Sequence, residues 1–407
     1  MIRWSTAGES HGRSLIALIE GIPAGVELST ASLEHELRRR REGYGRGARQ
    51  RFEQDRCVFL SGLRHGKTLG SPITIEIHNS EWAHWELVMN PDEVDPEELQ
   101  YVSGQGDPRE LARNRPLTRP RPGHADFPGM LKFDFSDARN VLERASARET
   151  AARVALGYVA KELLRQVFGV VIGSRVIEIG SVAAQPHTLT PEELPVVEAS
   201  PVRCLDPEDQ ALFIAEIDAA KRDGDTLGGV VEVLAWNVPI GVGNYAVWSE
   251  RLDTQLSAAL MSIPSVKGVE IGDGFASARR PGSRAHDEIY HDDSGYIRST
   301  NHAGGIEGGM SNGEPIVARI GLKPISTVPH ALQTVDLETG DPATAIHQRS
   351  DTTAVVPAAV IAESMMALTL MSAVSSQIWA SNVSDLVQNF SAYQQRIATQ
   401  LAKGLER

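Results

Sequence analysis

One stretch of this chain is written twice. With Pro23 set against Pro239, residues 12–26 (GRSLIALIEGIPAGV) fall on residues 228–242 (GGVVEVLAWNVPIGV), with the proline, the glycine two positions on and the apolar alternation in phase. Both copies read as a strand ending in a Pro/Gly turn, followed by a short helix with leucines four apart, Leu33/Leu37 and Leu252/Leu256. The match resumes with residues 66–77 (GKTLGSPITIEI) over 309–320 (GMSNGEPIVARI), which keeps two glycines, a proline and an alternating strand-like tail. Each half then closes on a long Ala-rich helix, expected over residues 144–168 and 357–380 and opened by ERASARET and QRSDTT. Pro357 suits a first helical turn, where its missing N–H has no partner to lose.

A helix apolar on most faces has to be covered on several sides. The expected fold is therefore α+β: a β-α-β sandwich with internal pseudo-twofold duplication, apolar helices lying between two mainly antiparallel sheets. It predicts one domain over residues 1–385, repeats near 10–168 and 226–380, and a helical tail at 386–407. Residues 170–182 read as a strand, 206–222 as an amphipathic surface helix and the acidic stretch 90–108 as an exposed loop.

Composition narrows the function. The 407 residues carry 40 Lys+Arg against 53 Asp+Glu, a net charge of −13, which argues against a general nucleic-acid or anionic-membrane surface. Any anion site must be a local basic cluster. Two cysteines, Cys57 and Cys204, are too few for a disulfide framework or a zinc site, so no metal is implied and a reducing cytoplasm fits. The N-terminus reaches Gly8 and Glu9 before any apolar run long enough for a signal peptide, which also points to the cytoplasm. Residues 354–374 have the length of a membrane span but contain Glu363, Ser364 and Ser372 and lack flanking anchors, so a buried core helix is expected.

Three motifs look chemical and lack context. Gly8-Glu9-Ser10-His11-Gly12 fits the GxSxG of a nucleophile elbow, but no sheet has been built before it to present the serine. Residues 62–68 (GLRHGKT) miss a phosphate-binding P-loop because Ser61 stands where its first glycine belongs. Residues 241–246 (GVGNYA) match GxGxxA, the best argument for a nicotinamide dehydrogenase, yet Pro239 and the repeat favour a structural turn.

Arginine clusters among glycines carry more weight. Arg38, Arg39, Arg40 and Arg41 end a short helix and lead into EGYGRGARQR, which adds Arg46, Arg49 and Arg51. A charge run is ordinarily a solvated face; here lysine is nearly absent, and arginine offers the forked donors that suit phosphate and carboxylate, so a small polyanionic substrate is the favoured reading. A second basic segment, 113–124 (RNRPLTRPRPGH), ends in a histidine. His11 and His124 each lie beside glycine and near these arginines, where an imidazole can protonate a leaving group. The residues by themselves point to an enzyme acting on a small phosphorylated, carboxylated substrate. A dehydrogenase and a non-catalytic anion-binding module stay open beside it.

GESHG at 8–12, RRRREGYGRGARQ at 38–50, RPGHAD at 121–126, RASARETAARVA at 144–155, SVKGVEIGDGF at 265–275, GGIEGGMSNG at 304–313, KPIST at 323–327 and HQRSD at 347–351 together resemble the chorismate synthase family. The resemblance implies anti-1,4-elimination of phosphate from 5-enolpyruvylshikimate 3-phosphate, using reduced FMN without net redox change, with NADPH as a possible reductant of the flavin and a homotetramer as the assembly. It implies that His11 protonates the departing phosphate, that His124 protonates reduced flavin and that Asp351 helps remove a proton from flavin N5. Arg40, Arg46, Arg49 and Arg148 would hold substrate or nicotinamide cofactor. Flavin would lie on Arg144, Ala145, Ser146, Pro264, Ser265, Gly308, Lys323, Pro324, Ile325, Ser326, Thr327 and Arg349. Residues 90–115 match the family poorly and receive no role.

Overall fold

The structure, a computed structural model, describes residues 2–47, 55–99, 113–292, 295–345 and 351–402. Four antiparallel strands, in the order Arg3–Ala7, Ser14–Glu20, Ile73–His78 and Cys57–Ser61, form one sheet. A second antiparallel sheet runs Val266–Ile271, Ile316–Leu322, Gly229–Trp236, Val171–Ile179 and Val182–Ala183. Period-two alternation decides which face each sheet turns inward. Leu15, Ala17, Ile19, Ile73, Ile75 and Ile77 are buried on one side, and Val231, Val233, Ala235, Ile316, Ala318 and Ile320 on the other.

Two core helices, Thr150–Leu163 and Val355–Ser375, fill the space between the sheets. They touch at Gly157, where an added Cβ would sit 2.3 Å from Cβ of Ser364, so only glycine permits this approach. The expected sandwich is thus the observed one; each repeat supplies a core helix and strands to one sheet, with Arg3–Ala7 added before the first repeat and Val171–Ile179 and Val182–Ala183 added from the segment between the two.

The duplication extends to single hydrogen bonds. Thr68 donates its hydroxyl to Pro23 O (2.5 Å) and accepts from the Val26 N–H (2.9 Å); Ser311 donates to Pro239 O (2.5 Å) and accepts from the Val242 N–H (2.8 Å). Backbone bonds from Gly25 to Thr68 and from Gly241 to Ser311 repeat the pattern.

Both core helices differ from their expected bounds. The first does not begin at Arg144: a separate helix, Arg139–Ala145, ends at Ser146, which is extended (φ −63°, ψ 141°) and caps the Arg148 N–H. A 3-10 turn, Ala147–Glu149, then leads into the core helix at Thr150, and a wider π turn carries the chain to Phe168. The second begins at Val355, with Pro357 still inside its first turn, and stops at Ser375 rather than near 380. There the Ser375 and Ser376 hydroxyls turn back onto the carbonyls of Ser372 and Ala373.

Val355–Ser375, long and apolar enough to cross a membrane, is buried between the five-stranded sheet and the helices Thr150–Leu163, Leu252–Met261 and Thr30–Arg41. Its Glu363 is 1% exposed and accepts hydrogen bonds from Arg39, Lys161, Arg203 and Ser174. The amphipathic helix is Pro207–Asp223, capped by Asp206. GLRHGKT forms a two-stranded ribbon, Leu63–Arg64 with Lys67–Thr68, and GVGNYA is a turn in which Gly243 bridges to Met310. Both large sheets are antiparallel, so among the described residues they form no parallel-strand crevice for a dinucleotide. The acidic stretch holds one short helical turn, Pro96–Leu99, and its residues 100–108 lie outside the described residues. The helix Val383–Ala402 is anchored by Leu386 and Phe390, the latter edge-on to Phe168 at 4.8 Å.

Candidate active site

The first core helix and the second open toward the same place, and loops from both halves meet there around a cavity of about 420 Å3. His11 enters it from the end of the first strand. Gly8 makes the turn at φ 102°, where a Cβ would lie 2.4 Å from Ser14 O. Asn79 then clasps the loop by donating to Ser10 O and Gly12 O, both at 3.0 Å. Glu143 accepts from the His11 backbone N–H (2.9 Å) and lies 2.9 and 3.0 Å from its Nδ1. Trp85 stacks on the imidazole, centroids 3.7 Å apart and planes 19° from parallel.

His124 also lines the cavity. Its Nδ1 is 2.5 Å from Asp126 Oδ1, and Asp126 is fully buried. Burial works to raise the Asp126 pKa, but hydrogen bonds from His124 and Arg121 and the Arg121 charge hold it well below the usual carboxylate range. Arg121 also donates to Thr327 Oγ1 at 3.0 Å, tying this dyad to the KPIST loop.

Arg40, Arg41 and Arg148 converge on Asp55, whose side chain is 1% exposed. Its pKa too is lowered, because the charges of Arg40 and Arg148 outweigh burial. Arg46 donates to Asp351 Oδ2 at 2.5 Å, and the Gly47 N–H to Asp351 Oδ1 at 2.6 Å. The remaining wall is largely apolar, with Ile263, Leu322, Ile325, Ala358 and Ile361 beside Pro264 and Ser265. Ser265 holds φ +72°, an unusual conformation for serine, and its carbonyl accepts from the Lys323 N–H.

The cavity gathers His11, His124, Asp351, Arg40, Arg46, Arg148, Ala145, Ser146, Pro264, Ser265, Lys323, Ile325, Ser326 and Thr327. Arg144 turns elsewhere and donates to the carbonyls of Thr6 and Gly8. Pro324 does not line the wall. Gly308 sits in the turn between Ile306–Glu307 and Met310–Ser311, by the start of the Leu252–Met261 helix, whereas Pro264 follows its end. Arg49 and Arg349 lie outside the described residues, as does Arg51. The arginine run itself divides: Arg40 faces the cavity, Arg39 belongs to the Glu363 cluster and Arg38 is an exposed partner of Glu42.

Sequence reasoning missed Glu143, Asp126, Arg121, Asp55 and Trp85. Asp126 had a local signal, two residues after the histidine in RPGHAD; Glu143 and Asp55 are brought to their partners only by the fold. A more open hollow of about 450 Å3, between Ser29, Lys67, Tyr158 and Arg165, borders none of these histidines or buried ion pairs.

Two carboxylate-held histidines, ion-paired arginines and an apolar wall in one cavity make a donor set of the kind enzymes use on small anionic substrates. A chorismate synthase family model matches residues 2–375. Chorismate synthases of Mycobacterium tuberculosis (strain H37Rv) and Mycobacterium marinum are 57% and 56% identical to the chain over 401 residues, covering 98% of it and 97% of each relative. A crystal structure of a chorismate synthase superposes with a TM-score of 0.76 at 38% identity, covering 98% of both chains. The chain belongs to the chorismate synthase family. Its activity is accordingly that of a carbon–oxygen lyase forming chorismate, which excludes the dehydrogenase and the non-catalytic module.

Proposed function

We propose that the cavity binds 5-enolpyruvylshikimate 3-phosphate against reduced FMN and carries out the anti-1,4-elimination of phosphate with the residues named above. The observation that carries this reading is one cavity lined both by cations, Arg40, Arg46 and Arg148, and by an apolar surface. The residues present fit a flavin: Ile263, Leu322, Ile325, Ala358 and Ile361 make a surface for a flat ring, and Lys323 and Arg121 supply charge at its edge. When bound, reduced FMN supplies electron density to an allylic C–H bond too weakly acidic for a side-chain base, and is recovered without net redox change.

The chain's own residues supply the rest. Arg40, Arg46 and Arg148 fix the phosphate and carboxylates and balance their charge; Arg49 joins them by family resemblance alone. His11 donates a proton from its ring to the leaving phosphate, and His124 holds a proton toward the flavin. Asp351, paired with Arg46 in this structure, would serve as the carboxylate that accepts a proton from the bound flavin, as the family resemblance implies. Ala145, Ser146, Pro264, Ser265, Lys323, Ile325, Ser326 and Thr327 are the flavin contacts this reading keeps on the cavity wall, with Pro324 between them in the chain. Arg144, Gly308 and Arg349 are flavin contacts by family resemblance.

A homotetramer, NADPH as the flavin's reductant and a cytoplasmic location complete the proposal. The outward face of the four-stranded sheet supports the assembly: Ile16 and Leu18 are only half-buried there and Val58 is exposed. Anaerobic incubation with photoreduced FMN and the phosphorylated substrate tests the reaction; phosphate and chorismate should appear in equal amounts with no flavin consumed. Net oxidation of NADPH with each turnover, or binding without product, would overturn the proposed mechanism. Light scattering that returns a monomer at micromolar concentration would overturn the tetramer.

A further inference from the structure

The two histidines of the cavity are each held through Nδ1 by a buried carboxylate, but the carboxylates differ in what else they hold. Asp126 is shared: Arg121 Nε donates to its Oδ2 at 2.8 Å and Arg121 Nη2 to its Oδ1 at 3.1 Å, so a guanidinium takes up much of its charge. Glu143 is 2% exposed, and its nearest guanidinium, Arg139, stands back at 3.8 Å and lies over the ring of Trp85. Its contacts go instead to one loop. Oε2 accepts the His11 N–H, both oxygens face His11 Nδ1, and the Glu143 carbonyl accepts the Ser10 N–H at 2.9 Å. Trp85 closes the face of the ring. The imidazole is therefore fixed in position and plane, backed by a carboxylate whose guanidinium neighbour, Arg139, is an ion-pair partner at 3.8 Å and not a hydrogen-bonded one.

We propose that Glu143 is a positioning residue for proton donation by His11. Its carboxylate commits Nδ1–H to the protein, turns Nε2 to the cavity and balances the charge of the ring before transfer. During the elimination the Nε2–H bond breaks and the proton joins an oxygen of the phosphate, which leaves with the C–O electron pair. The ring is left neutral, still anchored by Nδ1–H. Glu143 acts only through His11 and touches no reacting atom. The inference rests on the reading of His11 as the phosphate acid.

Four proteins test it: the wild type, Glu143→Gln, His11→Ala and the double variant, each assayed for kcat and KM with photoreduced FMN under anaerobic conditions. Glutamine keeps the shape but removes the charge and can offer its amide N–H to Nδ1, forcing the wrong tautomer. Expected is a kcat lower by roughly tenfold or more but not below that of His11→Ala, since Glu143 acts only through the general acid. KM should stay level or fall, because a negative charge beside an anion site has been removed. In the His11→Ala background the same substitution should have no further effect, and Glu143→Asp, which keeps the charge, should recover part of kcat. Losses that multiply in the double variant, a raised KM with kcat preserved, or wild-type kcat in Glu143→Gln would each overturn the role of Glu143. Wild-type turnover by His11→Ala would instead overturn the reading of His11 itself. If Glu143→Gln fails to fold, the comparison of Glu143→Asp in the wild-type and His11→Ala backgrounds reads the same coupling.

Discussion

The offset that lays Pro23 on Pro239 also lays Ser10, His11 and Gly12 on Thr226, Leu227 and Gly228. In the first half this turn sends an imidazole into the cavity. In the second, Leu227 packs against the core and its N–H donates to Thr352 O, while the Thr226 hydroxyl donates to Ile325 O. The helix openings diverge in the same way: Arg148 precedes the first core helix and Asp351 the second. Backbone features common to both copies, such as the Thr68 and Ser311 bonds, are devices of folding; side chains at matched positions that differ include those to which the proposed function gives chemistry. One copy contributes most of the cations and His11, the other the apolar surface and Asp351.

The largest effect should come from truncating the matched pair itself. His11→Ala is expected to lower kcat by about a hundredfold or more, the usual contribution of a general acid, with circular dichroism unchanged. Leu227→Ala should lower the melting temperature and leave kcat within about twofold, since that side chain only packs. If both variants lost stability and neither lost turnover selectively, the division of labour between the halves would be broken.

Next in size is the contact across the halves between Arg46 and Asp351. Arg46→Lys keeps the charge but loses the fork, and should weaken substrate binding by about 1.5–3 kcal/mol, a roughly tenfold to hundredfold rise in Kd. Affinity measured at two salt concentrations separates an enclosed clamp, which persists, from a surface charge, which fades. Wild-type affinity would remove this loop from the anion site.

A smaller and symmetrical effect is expected where the copies agree. Thr68→Val and Ser311→Ala each orphan a backbone N–H and a carbonyl, and each should lower unfolding free energy by about 1–3 kcal/mol in denaturant titrations. Losses in only one of the two would mean the turns share a shape without sharing a load.

This symmetry explains what could be read from the chain in advance. Proline, glycine and period-two patterns are local, so the strands, the paired leucines and the sandwich were legible. The break at Ser146 was not, because ERASARET has no residue that ends a helix by itself; the serine hydroxyl ends it by capping Arg148. Within the site, motifs carried the histidines, but Glu143 lies 132 residues from His11 and Asp55 lies 93 from Arg148. Such pairings depend on the sheets and helices already being in register, and an arginine run cannot show that Arg39 faces inward to Glu363 while Arg40 faces the cavity.

The smallest effect concerns the ion cluster that joins the halves. Arg39 and Lys161 from the first copy meet Glu363 from the second, and Arg203 and Glu198 from the connecting segment complete the group. For Glu198, burial works to raise the pKa, but the Arg39 hydrogen bond and the Arg203 charge hold it down to about 2, against an ordinary 4.5. A folded-state pKa below the unfolded one contributes stability that is fully present above about 4.5 and is lost as pH falls toward 2. Because the side chain is 36% exposed, solvent screening limits that contribution to about 1 kcal/mol or less. Melting temperatures of the wild type and Glu198→Gln should therefore differ by a constant small amount above pH 5 and converge between pH 4.5 and 2. A gap that survived to pH 2 would trace the stabilisation to packing of the Glu198 stem rather than to its charge, and the two halves would then be held together at this point by shape.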